Sequence, residues 1–175
     1  KLRTGPVKRI LVFFGGVDVE NYTGRALESL RSIGIDGLHI DVVIGAQHPY
    51  REKIKSFCAE NSFFCHVQTN RMAELMGLAD LAIGAAGSAS WERCCLGLPS
   101  LTVSLAYNQT EIGKGLDLLG ACQYVGSQDT GSDTFIINAT MELLGNNQKL
   151  FSLSEKAYAT VDGQGVYRTC EALGC

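Results

Sequence analysis

The chain has 175 residues, 46% of them hydrophobic, and a net charge of −3. That length supports one domain around one core, and the scattered, net-acidic charge offers no polybasic footprint for nucleic acid or an anionic membrane surface. No apolar run reaches the length of a membrane-spanning helix and no signal-peptide pattern is present, so a soluble, cytoplasmic protein is expected.

Residues 1–8 are polar and contain Gly5-Pro6, the composition of a linker, so the expected organisation is a linker over 1–8 and a domain over 9–175 of a longer protein. Residues 9–14, Arg9-Ile10-Leu11-Val12-Phe13-Phe14, form a continuous apolar run without period-2 alternation, which suits a strand covered on both faces of a parallel sheet. Gly15-Gly16-Val17-Asp18 follows, and then a helix over 21–32 with Tyr22, Ala26, Leu27 and Leu30 on one face. This strand-to-helix turn is an anion-site candidate. A plain turn with Asp18 or Asn21 as helix cap fits the same residues equally well.

Residues 39–44 read as a strand, 50–60 as a helix with Ile54, Phe57 and Cys58 inward, and 63–67 as a short strand. Gln68-Thr69-Asn70 leads into a helix over 71–78 whose Met72, Leu75, Met76 and Ala79 keep the i, i+3, i+4, i+7 spacing of a core stripe.

The next stretch carries the most specific chemistry. Leu81-Ala82-Ile83 gives way to small residues, Gly84-Ala85-Ala86-Gly87-Ser88-Ala89-Ser90, and then to a helical segment that stops at Gly97 and Pro99. At such a junction the backbone N–H groups approach a ligand closely and the helix dipole adds partial positive charge, which favours phosphate. Small residues at a turn also serve close packing alone. With Ser88 as N-cap, Glu92 stands one turn on, on the same face. A carboxylate there is repelled by phosphate unless it reaches past it to ribose hydroxyls, so the pair points to a nucleotide. Trp91 is expected to pack behind the loop.

Residues 101–103 form a strand, followed by Ser104 to Thr110 and a helix to about residue 119 with Ile112, Leu116 and Leu119 on one side. A last short strand over 121–125, a turn-like stretch over 126–132, and helices near 134–144, 150–159 and 166–173 close the chain. About six strands alternating with helices predict an α/β domain, a Rossmann-like parallel sheet with helices on both faces. Ligands of such sheets bind outside the carboxyl ends of the strands, which gathers Gly15-Gly16-Asp18, Gln68-Thr69-Asn70, residues 84–92 and Asn108-Gln109 on one rim. The seven cysteines, an odd number in apolar surroundings and without a Cys-x-x-Cys, read as reduced thiols. His39, His48 and His66 are not spaced to share a metal with them, so neither a zinc site nor another cofactor is expected.

Residues 78–100, the segment Phe13-Phe14-Gly15-Gly16-Val17-Asp18, Asn108-Gln109 and the closing Val161-Asp162-Gly163-Gln164-Gly165-Val166-Tyr167-Arg168 resemble the C-terminal half of the UDP-sugar hydrolases of the pseudaminic acid pathway. That family is similar to the GT-B glycosyltransferases that use UDP-N-acetylglucosamine in peptidoglycan synthesis. The resemblance spans nearly the whole chain, and Gly87-Ser88-Ala89-Ser90-Trp91-Glu92 is its most specific motif. It implies the C-terminal half of a GT-B fold and the release of UDP from UDP-2,4-diacetamido-2,4,6-trideoxy-β-L-altrose by water attack at the anomeric carbon, without a metal.

By the same resemblance Gly87 and Ser88 would hold the diphosphate and Glu92 the ribose hydroxyls. Gly15, Gly16 and Asp18 would face the phosphate or sugar side, Asn108 and Gln109 the diphosphate and hexose, and Val67, Gln68, Thr69 and Met72 the uracil. The family's general base is a histidine of an N-terminal domain that has no counterpart in this chain, so no catalytic residue is assigned and the isolated domain is expected to be inactive. The expected partners are a UDP-sugar and that N-terminal domain, with no nucleic acid and no membrane. The three histidines here do not replace the missing base, because placement comes before pKa in choosing one. Two further readings stay open: the donor-binding domain of a UDP-N-acetylglucosamine-type glycosyltransferase, and a non-catalytic UDP-binding module.

Overall fold

The structure, a computed structural model, describes residues 2–34, 37–127 and 133–174. Strands and helices alternate as β1 (Arg9–Phe13), α1 (Tyr22–Ile33), β2 (His39–Ile44), α2 (Arg51–Glu60), β3 (Phe64–Val67), α3 (Met72–Leu78), β4 (Leu81–Ala85), α4 (Ala89–Cys95), β5 (Ser100–Ser104), α5 (Tyr107–Leu118) and β6 (Gln123–Ser127). Three helices follow, α6 (Asp133–Gly145), α7 (Asn147–Thr160) and α8 (Gly165–Leu173). The strands form one sheet in the order β3-β2-β1-β4-β5-β6, with every pairing parallel. The connection from β3 back to β4 on the far side of β1 makes the junction of β1 and β4 the point where strand order reverses. Among the described residues no helix is long and apolar enough to cross a membrane.

The apolar run of β1 shows why a two-sided sheet needs continuous hydrophobicity. Ile10 and Val12 point into a core shared with Leu27 of α1, Ile54 of α2 and Leu143 of α6, while Leu11 between them joins Leu75 and Met76 of α3 on the other face. A third cluster joins Cys94 of α4 to Leu116 of α5 and Ala157 of α7. Each side chain alternates faces as a strand requires, but both faces are covered, so the sequence shows no alternation.

Two expected boundaries shift. The helix α5 begins at Tyr107, so Asn108 and Gln109 lie in its first turn and not in a preceding loop. β6 extends to Ser127 and takes up Gly126 and Ser127 of the expected turn; the remaining residues, 128–132, lie outside the described residues.

Residues 2–8, expected as a linker, pack onto the domain. Arg3 is 6% exposed. Its Nε and Nη2 donate to the carbonyls of Ala79 and Met76 at 3.1 and 2.8 Å, its Nη1 donates to the carbonyl of Leu96, and its own backbone N–H donates to Ser154 Oγ at 2.9 Å. The guanidinium thereby collects carbonyls that α3 and α4 leave unpaired at their C-terminal ends, where the helix dipole favours a cation. Polarity alone marked this segment as a linker; one arginine that caps two helices anchors it.

Asp41 of β2 is buried at 1% exposure, yet three basic side chains face it. Arg9 Nε donates at 2.6 Å and His66 Nε2 lies at 2.8 Å, while His39 Nε2 stands at 3.4 Å and stacks its ring on Phe64. Burial pushes the carboxyl up, but the hydrogen bonds from Arg9 and His66 outweigh it and hold Asp41 below its ordinary carboxylate range. A carboxyl depressed on folding stabilises the fold above its unfolded pKa of about 3.9, and that contribution is lost as pH falls through the folded value. Asp41→Asn is therefore expected to cost about 1–3 kcal/mol at pH 7, with the gap from the parent chain closing below about pH 4. Urea unfolding midpoints measured across that range check it.

Candidate functional site

The site is built where β4 and β1 end side by side. A Cβ on Gly84 would lie 2.1 Å from the carbonyl oxygen of Phe13, and one on Gly45 would lie 2.1 Å from that of Gly16. Glycine at both positions lets three strand ends and their loops converge. Ala86 N–H donates to Val103 O at 2.8 Å, which keeps the base of the next loop tied to β5.

Beyond that bond the backbone opens. The N–H groups of Gly87, Ser88 and Ala89 find no acceptor among the described residues, whereas Ser90 N–H donates to Gly87 O and Trp91 N–H to Ser88 O in a tight first turn. Ser88 has φ −57° and ψ −32° and caps nothing with its side chain. The expected cap is absent because a capping serine needs an extended backbone, and Ser88 is already helical. Its hydroxyl is left facing solvent. The side chain of Glu92, one turn on, is also exposed and has neither an ion pair nor a hydrogen bond among the described residues.

Trp91 does not pack behind the loop as expected; it stands 43% exposed on the outside of α4. Arg93 fills the space behind, at 2% exposure. Its Nη2 donates to Ala85 O and to Ser90 Oγ, both at 2.8 Å, and its Nη1 would be 3.1 Å from a Cβ on Gly84. Burial pushes the guanidinium down to about 10, which leaves it charged at neutral pH. The neighbouring Cys94 and Cys122 thiols, pushed up to about 11 by burial, stay neutral there. Sequence reasoning passed over Arg93, and the signal was available: an arginine three residues after Ser90 on a short helix, beneath a loop with almost no side chains of its own.

The first turn of α5 closes the other side. Gln109 Oε1 accepts from Leu105 N–H at 2.9 Å, which turns Nε2 toward the loop, where a Cβ on Gly87 would lie 3.3 Å from it. Asn108 beside it is exposed. Gly87 and Gln109 are therefore brought together, with Ser88 and Asn108 exposed beside them.

The β1 side differs from the expectation. Asp18 is buried; its Oδ1 and Oδ2 accept from the N–H groups of Tyr22 and Thr23 at 2.9 and 2.7 Å, and Asn21 Oδ1 accepts from Gly24 N–H at 3.2 Å. The capped-turn alternative holds, and the anion-site reading of α1 does not, because a carboxylate already occupies the donors an anion would use. Asp18 accordingly has no oxygen turned to the rim for a phosphate or sugar. His48 Nε2 lies 3.4 Å from Asp18 Oδ2, and both side chains are wholly buried. Because His48 Nδ1 accepts from Tyr50 N–H at 3.2 Å, Nε2 carries the proton, and no ring nitrogen is left to take one from water. Gly15 and Gly16 remain at the strand end, Gly15 with φ 108°.

At the β3 edge, Val67 is exposed, Gln68 with φ 51° accepts from Ala46 N–H through Oε1 at 3.2 Å, and Thr69 Oγ1 accepts from Arg71 N–H at 3.1 Å. Met72 is half-buried against the core that holds Leu75 and Met76. Three strand spacings put this group about 14 Å along the rim from β4.

No protein-family model matches the sequence. The chain is 28% identical over 168 residues to the spore coat polysaccharide biosynthesis protein SpsG of Bacillus subtilis, covering 95% of this chain and 50% of that protein. It superposes on MurG of Acinetobacter baumannii with a TM-score of 0.75 and 21% identity, covering 95% of this chain and 49% of that one. On S. aureus MnaA in complex with UDP the TM-score is 0.73 at 13% identity, covering 96% and 46%. The architecture is that of the Rossmann-like C-terminal domain of GT-B proteins, and the chain spans about half the length of each of these relatives.

Because Gly84 meets backbone rather than a movable side chain, Gly84→Ala is expected to destabilise the fold by about 1–3 kcal/mol with an unchanged denaturant slope. Equilibrium urea unfolding measures both.

Proposed function

We propose that this chain is the nucleotide-binding half of an enzyme that acts on a UDP-linked sugar, with the diphosphate held on the loop over 86–88. One observation carries the reading: among the described residues three consecutive amides without acceptors, a Ser88 hydroxyl that caps nothing and an unpaired Glu92 side chain one turn away share the strand-order switch point of a Rossmann-like sheet. Gly87 and Ser88 bind the diphosphate through backbone and hydroxyl donors. Glu92 accepts from ribose hydroxyls, the one partner near a phosphate that supplies donors without charge. Asn108 and the Nε2 of Gln109 donate to the diphosphate or hexose from the facing helix. Gly15 and Gly16 leave room opposite them, and Val67, Gln68, Thr69 and Met72 border the uracil. The UDP complex of a protein with the same fold supports the choice of nucleotide.

The same arrangement serves two reactions. In hydrolysis, water attacks the anomeric carbon of a UDP-diacetamido-trideoxyhexose, and the loop amides stabilise the charge that grows on the departing UDP. The resemblance over residues 87–92 supports this reading, in which the free sugar would supply nonulosonic (pseudaminic) acid synthesis. In glycosyl transfer, an acceptor hydroxyl takes the place of water; the fold shared with MurG and the similarity to a spore coat polysaccharide protein support that reading. Either way the proton acceptor comes from a second, N-terminal half, since the described histidines are committed to Asp18 and Asp41.

Calorimetric titration of the chain with UDP, with GDP and CMP for comparison, tests the nucleotide reading. UDP is expected to bind selectively, and Glu92→Gln to weaken it about tenfold, the worth of a charge-assisted hydrogen bond. Equal affinity for the three nucleotides, or none, overturns it. With both halves present, release of free sugar from the UDP-sugar in the absence of any acceptor separates hydrolysis from transfer.

A further inference from the structure

Buried charges elsewhere in this chain are answered by opposite charge or by several acceptors. Asp41 faces Arg9 and two histidines, and Arg3 holds three carbonyl groups. Arg93 is the exception. Its large side chain is fully buried, yet no carboxylate lies within ion-pair distance of it among the described residues, and its Nε is buried without a hydrogen-bond partner there. Its one polar anchorage is at Nη2, which joins the last residue of β4 to the second residue of α4 through Ala85 O and Ser90 Oγ. The guanidinium therefore lies directly beneath the loop whose outer side presents three amides without acceptors. Glu92, the adjacent acid, is exposed and acts on the guanidinium only through space, without an ion pair or hydrogen bond to it.

We propose that Arg93 is a built-in counter-charge, a cation buried behind the loop over 86–88 without a protein anion because the anion it serves is the diphosphate of the ligand. This rests on the reading of that loop as the diphosphate site and adds a positioning residue that acts from behind it. A charge so placed is shielded from water by the loop, so its attraction for an anion across a few atoms of backbone is screened far less than that of a surface arginine. It makes no direct contact with the ligand. The cost of burying the cation falls on the ligand-free protein, and ligand binding relieves it. Loss of the charge is therefore expected to weaken anion binding without weakening the empty fold, a combination that a purely structural clamp cannot produce.

Arg93→Met and Arg93→Lys, made in the 175-residue chain, test this with UDP and inorganic pyrophosphate as ligands, calorimetry for affinity and thermal unfolding for the ligand-free protein. The parent chain is expected to bind both ligands. Arg93→Met is expected to lose about tenfold or more in affinity for each, to unfold no earlier than the parent when empty, and to be rescued in large part by Arg93→Lys. Unchanged UDP affinity in Arg93→Met overturns the counter-charge and leaves the nucleotide reading standing. Weaker binding together with earlier unfolding of the empty protein makes Arg93 a clamp and overturns it as well. Arg93-dependent binding of pyrophosphate, with no added affinity for UDP, keeps the counter-charge and removes the nucleotide. A parent chain that binds neither ligand overturns both. If Arg93→Met does not fold, Arg93→Gln, which keeps a donor for Ala85 O without the charge, carries the same comparison; failure of both to fold overturns the proposal, because a counter-charge is not what the fold depends on.

Discussion

The carbonyl oxygen of Phe13 sits where the Cβ of any residue but glycine at position 84 would be, and that of Gly16 does the same for position 45. The backbones at the top of β1, β2 and β4 are consequently packed against each other with no side chain between them. This contact sets how far apart the strand ends stand, and so where the loops that follow them begin. It also leaves a narrow space beneath the loop after β4, and the guanidinium of Arg93 fills it. A loop of small residues stretched over a buried cation can neither collapse inward nor fill its own concavity.

Hydrogen-bonding capacity is distributed unevenly around this rim. At the end of β1 the donors of α1 are answered from within the chain by Asp18 and Asn21, and His48 is locked against Asp18. At the end of β4 the corresponding donors stay open, Ser88 caps nothing, and Glu92 pairs with nothing among the described residues. The two strand-to-helix turns have similar compositions but opposite states, one satisfied from within the chain, the other open among the described residues. The open donors of the β4 turn can be reached from outside, since Gly87 and Ala89 are half-buried and Ser88 is exposed, whereas those of α1 are already used.

The proposed binding surface and the groups that could move protons are separate in this chain. His39 and His66 serve Asp41 within the sheet, well away from the β4 turn, and His48 has no free nitrogen. In the proposed reading this chain holds the leaving group and the nucleophile is activated from outside it. That division fits a chain that spans about half of its relatives.

Much of the fold was legible from residues alone. Unbroken apolar runs such as Ile10 to Phe14 gave strands covered on both faces, helical spacing gave α1, α2 and α3, and the small-residue stretch between Ile83 and Trp91 located the open turn. The site was legible as a set of strand ends, because in a parallel sheet every such end lies on one rim. What the sequence could not decide were choices between residues of equal propensity. Asp18 could cap or bind, and only the geometry of α1 committed it. Arg3, in a stretch polar enough for a linker, is anchored by carbonyls more than seventy positions away. Arg93, not Trp91, lies behind the loop, since a helix of seven residues has too few turns for periodicity to assign its faces. By itself, then, the sequence determined the alternation of elements and which strand ends share one rim, because these follow from local pattern and chain connectivity. Which polar groups stay open there, and which cation lies behind them, was decided only when distant carbonyls, carboxylates and strand ends came within hydrogen-bonding reach.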